Sequence, residues 1–238
     1  MKYFICTNIL SSIDPSAYVS HCNFWYRLGR KFPLDTFYAM TPPRMAIDQA
    51  RNWAAKMALE LECDYLMFLD DDMVIIPDTL SSLIDCDLDI TMAHTYIRGN
   101  PFNVMAFKKN EQGNLAFFND YESSVNEKGI YLCDAVGFAV CLIKVSLLRK
   151  METPYFVTGT GHTEDIYFCC KARVEVGETV SIGVDTKVPT GHLLHKEAVS
   201  FHTVDKLRTY YKELAKEIID ADRGAKYYHQ INQVLGQS

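Results

Sequence analysis

The sequence has no CxxC spacing. Apart from the adjacent Cys169 and Cys170, its eight cysteines sit singly in apolar runs such as YFICTN and LECDYL. They read as small buried hydrophobes, and a disulfide framework or zinc ribbon is not indicated. Cys169 and Cys170 in IYFCCKA read as packing residues on a helix, and this usage predicts a reducing, cytoplasmic setting. No apolar run approaches the ~20 residues that cross a bilayer, so no membrane span is expected. The start, MKYFICTNILSS, lacks a small-residue cleavage site and reads as a buried strand rather than a signal peptide. Repeats, linkers and low-complexity tracts are also missing, which predicts a single domain over 1–238. Positive charge is short: 24 Lys and Arg against 30 Asp and Glu give a net charge of −6, with no global attraction to nucleic acid or anionic membranes.

What is present is core-forming. With 48% hydrophobic residues the chain can bury a substantial interior. KYFICTNI (2–9) reads as a buried strand, 15–31 as a helix, and TPPRMAIDQARNWAAKMALELE as a helix of about five turns beginning near Pro42 and Pro43. DYLMFLD is a second strand, PDTLSSLIDC a short helix that Asp78 can cap, and DITMAHTYI a third strand. The order β-α-α-β-α-β up to residue 97 indicates a parallel sheet covered by helices. Beyond it, NVMAFKKNEQGNLAFF and NEKGIYLCDAVGFAVCLIKV offer strands separated by Gly-containing turns, an antiparallel extension. SLLRKM and EDIYFCCKARVEVG read as short helices and VSIGVDTKVP as a strand. The tail from Val204 to about Val234 reads as helical, with Val204, Leu207, Tyr211, Leu214 and Ile218 on one face and a break at Gly224. That face suits packing on the domain or, in a homo-oligomer, on a partner subunit.

Within YLMFLDDDMVIIP three adjacent carboxylates, Asp70, Asp71 and Asp72, follow a buried strand. Adjacent carboxylates repel, and each prefers water to a sheet interior. The carboxyl ends of strands in an open α/β sheet form the usual ligand crevice, where a hard cation such as Mg2+ or Mn2+ would relieve the repulsion. A solvated loop is the alternative. Two further patches fit a site: Glu164 and Asp165 open a helix after TGTG, and Gly191-His192 ends a strand. Capping by Thr163 is the plainer reading of the first, and a structural histidine that of the second.

The combination of FLDDDM-x-x-x-P, DAVGFAVCLIK, TEDIYFCCKA and VDTKVPTGH resembles small bacterial and viral metal-dependent glycosyltransferases of the GT-A fold, over roughly Lys2 to His195. The fold this implies is α/β, a single Rossmann-like GT-A domain. Its mostly parallel central sheet is flanked by helices and carries a small antiparallel extension and C-terminal helices. A nucleotide-binding half would cover 1–97, an acceptor and catalytic half 98–200, and a helical tail 201–238. The resemblance implies transfer of a sugar from a nucleoside-diphosphate sugar, a UDP-sugar first, to an acceptor hydroxyl of a saccharide or a modified base in viral DNA. The host cytoplasm would be the setting of a viral member.

Residue by residue, the resemblance puts Asp70 at the ribose and Asp72 on a Mn2+ or Mg2+ ion bridging the diphosphate, with His192 as second ligand and Asp70 also among the metal-binding residues, and Asp71 acting through water or merely solvated. Asp165 matches the general base of inverting members, with Glu164 the alternative. Retaining chemistry would leave Asp165 to orient the acceptor. Asp134 matches a position near the sugar or acceptor, and Gly137 one where backbone approaches closely. Thr7, Asn8, Arg51 and Asn52 match the region around a uridine-type base and ribose, although Arg51 also reads as a surface ion-pair residue. Arg98 is a candidate for the diphosphate or acceptor, His162 and His195 are weaker ones, and Lys108 and Lys109 read as decorating a hairpin. The competing readings are a metal-dependent phosphoesterase using Asp70, Asp72, His192 and His195, a nucleotidyltransferase, and a non-catalytic nucleotide-sugar-binding module. No Gly-rich phosphate loop follows the first strand to support the nucleotidyltransferase.

Overall fold

The computed structural model describes residues 1–9, 12–194, 197–199, 203–206, 208, 209 and 212. The first part of the chain gives β1 (Lys2–Cys6), α1 (Pro15–Lys31), β2 (Thr36–Met40), α2 (Ile47–Glu60), β3 (Tyr65–Leu69), β4 (Met73–Val74), α3 (Thr79–Asp85) and β5 (Ile90–His94). Then come β6 (Ala106–Lys109), β7 (Leu115–Phe117), a 3-10 turn (Tyr121–Ser124), β8 (Ile130–Leu132), β9 (Ala135–Val136) and β10 (Val140–Lys144). The remainder is α4 (Val145–Leu148), α5 (Glu164–Val176), β11 (Ile182–Pro189), β12 (Gly191–Leu194) and β13 (Glu197–Val199).

Among the described residues the main sheet runs β2-β1-β3-β10-β5-β11-β8. Strands β2, β1, β3, β5 and β11 share one direction, and β10 and β8 oppose it. Two small antiparallel sheets, β13-β12-β4 and β7-β6-β9, complete the set. The mostly parallel sheet with helices and antiparallel additions expected of a GT-A-like fold is therefore the architecture found.

Alternation along the strands builds two cores. Phe4, Leu66, Phe68, Met92 and Ile143 face a cluster that takes in Ala54 and Ala58 of α2 and Phe168 of α5. Tyr3, Ile5, Met67, Leu69 and Leu142 face the opposite cluster, with Phe24 and Leu28 of α1 and Leu80 and Leu83 of α3. The small side chains Ala50, Ala54, Ala55 and Ala58 are buried on one face of α2, so this helix lies close against the sheet. Asp14 caps α1 by accepting from the Ser16 amide at 2.7 Å, ahead of Pro15 in the first turn.

Several local expectations change. The order up to residue 97 includes β2, a half-buried edge strand paired in parallel with β1, which the sequence reading passed over. Helix α2 begins at Ile47, so it is shorter than the five turns expected; the segment holding Pro42 and Pro43 stays outside it. Strand β10 is not part of a peripheral extension, because it lies between β3 and β5 in the middle of the sheet. Asp78 makes no side-chain capping bond to α3, and its Oδ1 instead accepts from Arg27 at 3.0 Å and Lys31 at 3.4 Å, both on α1. All eight cysteines are free, with Cys169 buried and Cys170 exposed. Among the described residues no helix is long and apolar enough to cross a membrane. Val204 is buried, but Leu207, Tyr211, Leu214, Ile218, Gly224 and the rest of the expected tail helix lie outside the described residues, as does any oligomer contact through it.

Candidate active site

A cleft of about 270 Å³ opens at the carboxyl ends of the parallel strands. Asn8 follows β1, and Asp70, Asp71 and Asp72 follow β3; all four line the cleft together with Arg98. Its other wall is Pro42, Pro43, Arg44 and Met45 with Ile47 and Ala50 of α2. The Asp70 amide donates to the Ala139 carbonyl at 2.8 Å, which ties the acidic turn to the chain entering β10.

His192 is beside Asp72 because β12 pairs with β4, the strand that immediately follows the acidic turn, in the register His192 to Met73. The Leu193 amide donating to the Asp72 carbonyl at 2.9 Å extends this pairing. His192 Nε2 lies 3.5 Å from Asp72 Oδ2. Its Nδ1 is 2.8 Å from the Tyr96 carbonyl oxygen, which can only accept, so Nδ1 carries a proton. Nε2 is therefore the ring nitrogen turned toward the carboxylate, where a proton on it or a shared cation can bridge the two, and a backbone-anchored imidazole of this kind is the usual form of a metal-ligating histidine. Arg98 Nη1 reaches the same Asp72 oxygen at 2.8 Å. Burial alone would raise the Asp72 pKa, but the His192 hydrogen bond and the His192 and Arg98 charges outweigh it and hold the carboxyl below its ordinary value.

Among the described residues no three His, Cys, Asp or Glu side chains form a cation cage. Asp72 and His192 are the residues that could hold an ion here, and a Mg2+ or Mn2+ ion with so few protein ligands would take the rest from substrate and water. Asp70 stands slightly apart. Burial pushes its carboxyl up to about 6 against the opposing pull of Arg51 and a hydrogen bond from Asn8 Nδ2 at 3.3 Å.

Arg51 is not on the surface; only 3% of its side chain is exposed. Its Nε donates to Glu164 Oε1 at 2.9 Å, its Nη1 to the Phe138 carbonyl at 3.1 Å, and its Nη2 is 3.8 Å from Asp70 Oδ2. The guanidinium also lies over the Phe68 ring at 4.7 Å. Burial opposes the Arg51 charge, but Asp70, Glu164 and Asp165 together raise its pKa. Arg51 thus joins the end of β3 to the start of α5 from behind the cleft wall.

That contact separates the roles of the two carboxylates in TED. Glu164, 6% exposed, is committed to Arg51. Asp165 Oδ1 accepts from the Thr163 hydroxyl and from the Ile166 amide, while Oδ2 makes no hydrogen bond among the described residues. Thr163 occupies the N-cap position of α5, yet its hydroxyl serves Asp165 rather than the helix backbone. Neither carboxylate lines the cleft itself.

Other expected residues are engaged elsewhere. Thr7 continues the β1–β2 pairing through its amide to the Met40 carbonyl at 3.0 Å. Asn52 donates to the Asp48 and Phe156 carbonyls at 2.8 and 2.6 Å and accepts from the Tyr155 and Phe156 amides, so it pins 155–156 to α2. Asp134 accepts from the Lys109 amide at 2.7 Å and faces Arg173 at 3.6 Å, about 13 Å along α5 from Glu164. A Cβ on Gly137 would lie 2.2 Å from Met105 Cε, so this glycine admits Met105 rather than a ligand. His162 stacks on Tyr167 at 5.4 Å. His195 lies outside the described residues. Lys108, over Phe118, and Lys109, 3.7 Å from Glu178, decorate the hairpin.

The sequence reading missed Tyr96, whose contribution is a backbone carbonyl, and the wall formed by Pro42, Pro43 and Arg44. The Pro-Pro pair carried a signal for the second: it disfavours a helix through its own position and so marks a loop beside the crevice.

No protein-family model matches the chain, and no curated protein matches it. Solved structures do. The chain is similar in fold to A197 from STIV, at 17% identity over 84% of this chain and 90% of that one, with a TM-score of 0.55. Looser overlaps are with S. aureus TarS 1-349 in complex with UDP-GlcNAc (TM-score 0.44, 15% identity, 83% of this chain, 57% of that one) and a glycosyltransferase involved in glycosylation of the major capsid of PBCV-1 (0.40, 12%, 77% and 81%).

Proposed function

We propose that this chain is a metal-dependent glycosyltransferase that moves a sugar from a nucleoside-diphosphate sugar, a UDP-sugar first, to an acceptor hydroxyl. The observation that carries the reading is the Asp72–His192 pair, 3.5 Å apart, in a cleft at the strand ends that Asp70, Asp71, Asn8 and Arg98 also line. Asp72 and His192 would hold Mn2+ or Mg2+, whose positive charge would stabilise the diphosphate leaving group. Asp70 and Asn8, already hydrogen-bonded to each other, face the ribose and base, and Asp71 acts through water. Arg98 exchanges its Asp72 contact for the donor phosphates. Arg51 serves the donor indirectly, by holding Asp70.

Glu164 is tied to Arg51, which leaves Asp165 as the base. Its Oδ2 takes the proton of the acceptor hydroxyl while the hydroxyl oxygen attacks the anomeric carbon, with inversion. Because Asp165 is buried and does not line the cleft, this role needs movement of the preceding segment, and Gly159 and Gly161 supply the backbone freedom for it.

The decisive experiment is a nucleotide-sugar screen with Mn2+ or Mg2+, following UDP release in the wild type, Asp72→Ala and His192→Ala. Release that depends on metal and on both side chains is expected. Undiminished transfer in chelator removes the metal role. Pyrophosphate release identifies a nucleotidyltransferase, hydrolysis indifferent to the sugar a phosphoesterase, and binding without turnover a silent module.

A further inference from the structure

Two depressions share Tyr121. One, of about 320 Å³, is bordered by Asn100, Asn103, Asn119 and Phe118, with Arg208 and Lys212 at one side. The other, of about 200 Å³, is bordered by His94, Glu122 and Thr186. They begin beside the cleft: Asn100 is two residues beyond Arg98, so their Cα atoms are at most about 7 Å apart. The Tyr96 carbonyl holds His192, and the Tyr96 ring meets His94 at 5.1 Å.

The chemistry of the larger depression is neutral and amphipathic. Among the described residues no carboxylate borders it. The side-chain amides of Asn100, Asn103 and Asn119 have no hydrogen-bond partner among the described residues. An amide presents a donor and an acceptor together, which matches neighbouring hydroxyls that do the same. Phe118, which carries Lys108 over its ring at 4.7 Å, and Tyr121, which stacks on Tyr131 at 4.8 Å, border it with aromatic surface of the kind that packs on the C–H face of a pyranose. Arg208 is largely spent on the protein, since its Nε donates to the Pro101 carbonyl at 3.0 Å, its Nη2 to the Phe102 carbonyl at 3.1 Å, and its Nη1 faces Asp205 at 3.4 Å. It shapes the wall, which among the described lining residues leaves Lys212 as the cation for a phosphate, too little for a nucleic-acid backbone on a chain of net charge −6.

The smaller depression supplies the second observation. His94 is 5% exposed, and its Nε2 has no hydrogen-bond partner among the described residues. Its ring meets Tyr121 at 5.3 Å, and Tyr131, whose buried hydroxyl is likewise unpartnered, stacks on Tyr121 at 4.8 Å. A buried polar atom without a partner destabilises the fold, and a hydroxyl-bearing ligand reaching it would relieve that cost.

We propose that the surface centred on Tyr121 binds a saccharide, and that this saccharide is the acceptor. The word acceptor rests on the glycosyltransferase reading; saccharide binding does not. The test applies the full-length chain, with UDP and Mn2+, to a panel of immobilised mono- and oligosaccharides and to single-stranded and hydroxymethylated oligonucleotides. Retention on at least one saccharide is expected, at least tenfold weaker for Tyr121→Ala and for Asn119→Ala. His94→Phe, which keeps a ring but loses Nε2, is expected to weaken it as well. Thermal stabilisation by UDP and Mn2+ should be the same in all of them. If Tyr121→Ala fails to fold, Asn119→Ala, at an exposed position, carries the test. Retention on no saccharide, retention on the oligonucleotides instead, or equal retention by the wild type and Asn119→Ala overturns the proposal. Loss of UDP stabilisation in the wild type itself would strike the glycosyltransferase reading and leave saccharide retention to be judged separately.

Discussion

His192 Nε2 faces Asp72 Oδ2 across 3.5 Å, with the far side of the imidazole fixed on the Tyr96 carbonyl at 2.8 Å. A ring held this way cannot turn Nε2 elsewhere without giving up that hydrogen bond. Mn2+ together with UDP should therefore raise the melting temperature of the wild type. His192→Ala and Asp72→Ala should each weaken apparent metal affinity by about tenfold or more. Calorimetric titration gives the answer, and equal affinity in all three proteins would remove the pair from the metal site.

The buried guanidinium of Arg51 allows a stability prediction independent of substrate. Removing one partner of a buried ion pair strands the other charge, at a cost of about 3–5 kcal/mol. Glu164→Ala should fall in that range, softened by the remaining Asp70 contact, and Arg51→Ala should cost at least as much because the contacts with Phe68 and Phe138 go too. In the double variant the losses should sum to clearly less than the two singles, since the contact is counted once. Strict additivity in urea unfolding would mean that the pair contributes nothing.

Asp165→Asn keeps the volume and the Oδ1 hydrogen bonds but removes the basic oxygen. Transfer should drop by roughly 10²–10⁴ while UDP affinity stays within about twofold. Glu164→Gln should act differently, lowering stability first and activity through it. Full turnover by Asp165→Asn would return the base assignment to another residue.

Burial of His94 lowers its pKa from 6.5 to about 4. In the unfolded chain the ring takes up its proton at higher pH than in the fold, so stability rises with pH in this window. His94 thus leaves stability complete above pH 6.5 and removes it as pH falls from 6.5 toward 4, by on the order of 3 kcal/mol. His21, also lowered by burial, acts in the same direction. His94→Phe should flatten the acid limb of a stability–pH curve without abolishing it, and an unchanged limb would show that His94 does not titrate this way.

The elements that were legible are those whose pattern is dictated locally. The apolar runs of β1, β3 and β5 are buried on both faces and stand out as such, and α1 announces itself through Asp14 and Pro15. β2 was harder because an edge strand needs only one covered side, and its five residues alternate weakly. The acidic turn and His192 were readable as strand-end features, whereas their meeting depends on β4–β12 pairing across more than a hundred residues. Asp134, Gly137 and Asn52 illustrate the limit of motif reading. Their residue types suit a sugar site, but Arg173, Met105 and the 155–156 backbone claim them first, and no local pattern encodes those partners.

The central place of β10 has a consequence for any attempt to divide the chain. A fragment ending at residue 97 would contain β3 and β5 but not the strand that bridges them, leaving two open edges in the middle of its sheet and no Ala139 carbonyl to receive the Asp70 amide. Such a fragment should aggregate or stay unfolded when made alone. Recovery on mixing with the complementary piece would come from β10 sliding between strands already synthesised, so the acidic turn can reach its final shape only after residues from the later part of the chain have arrived.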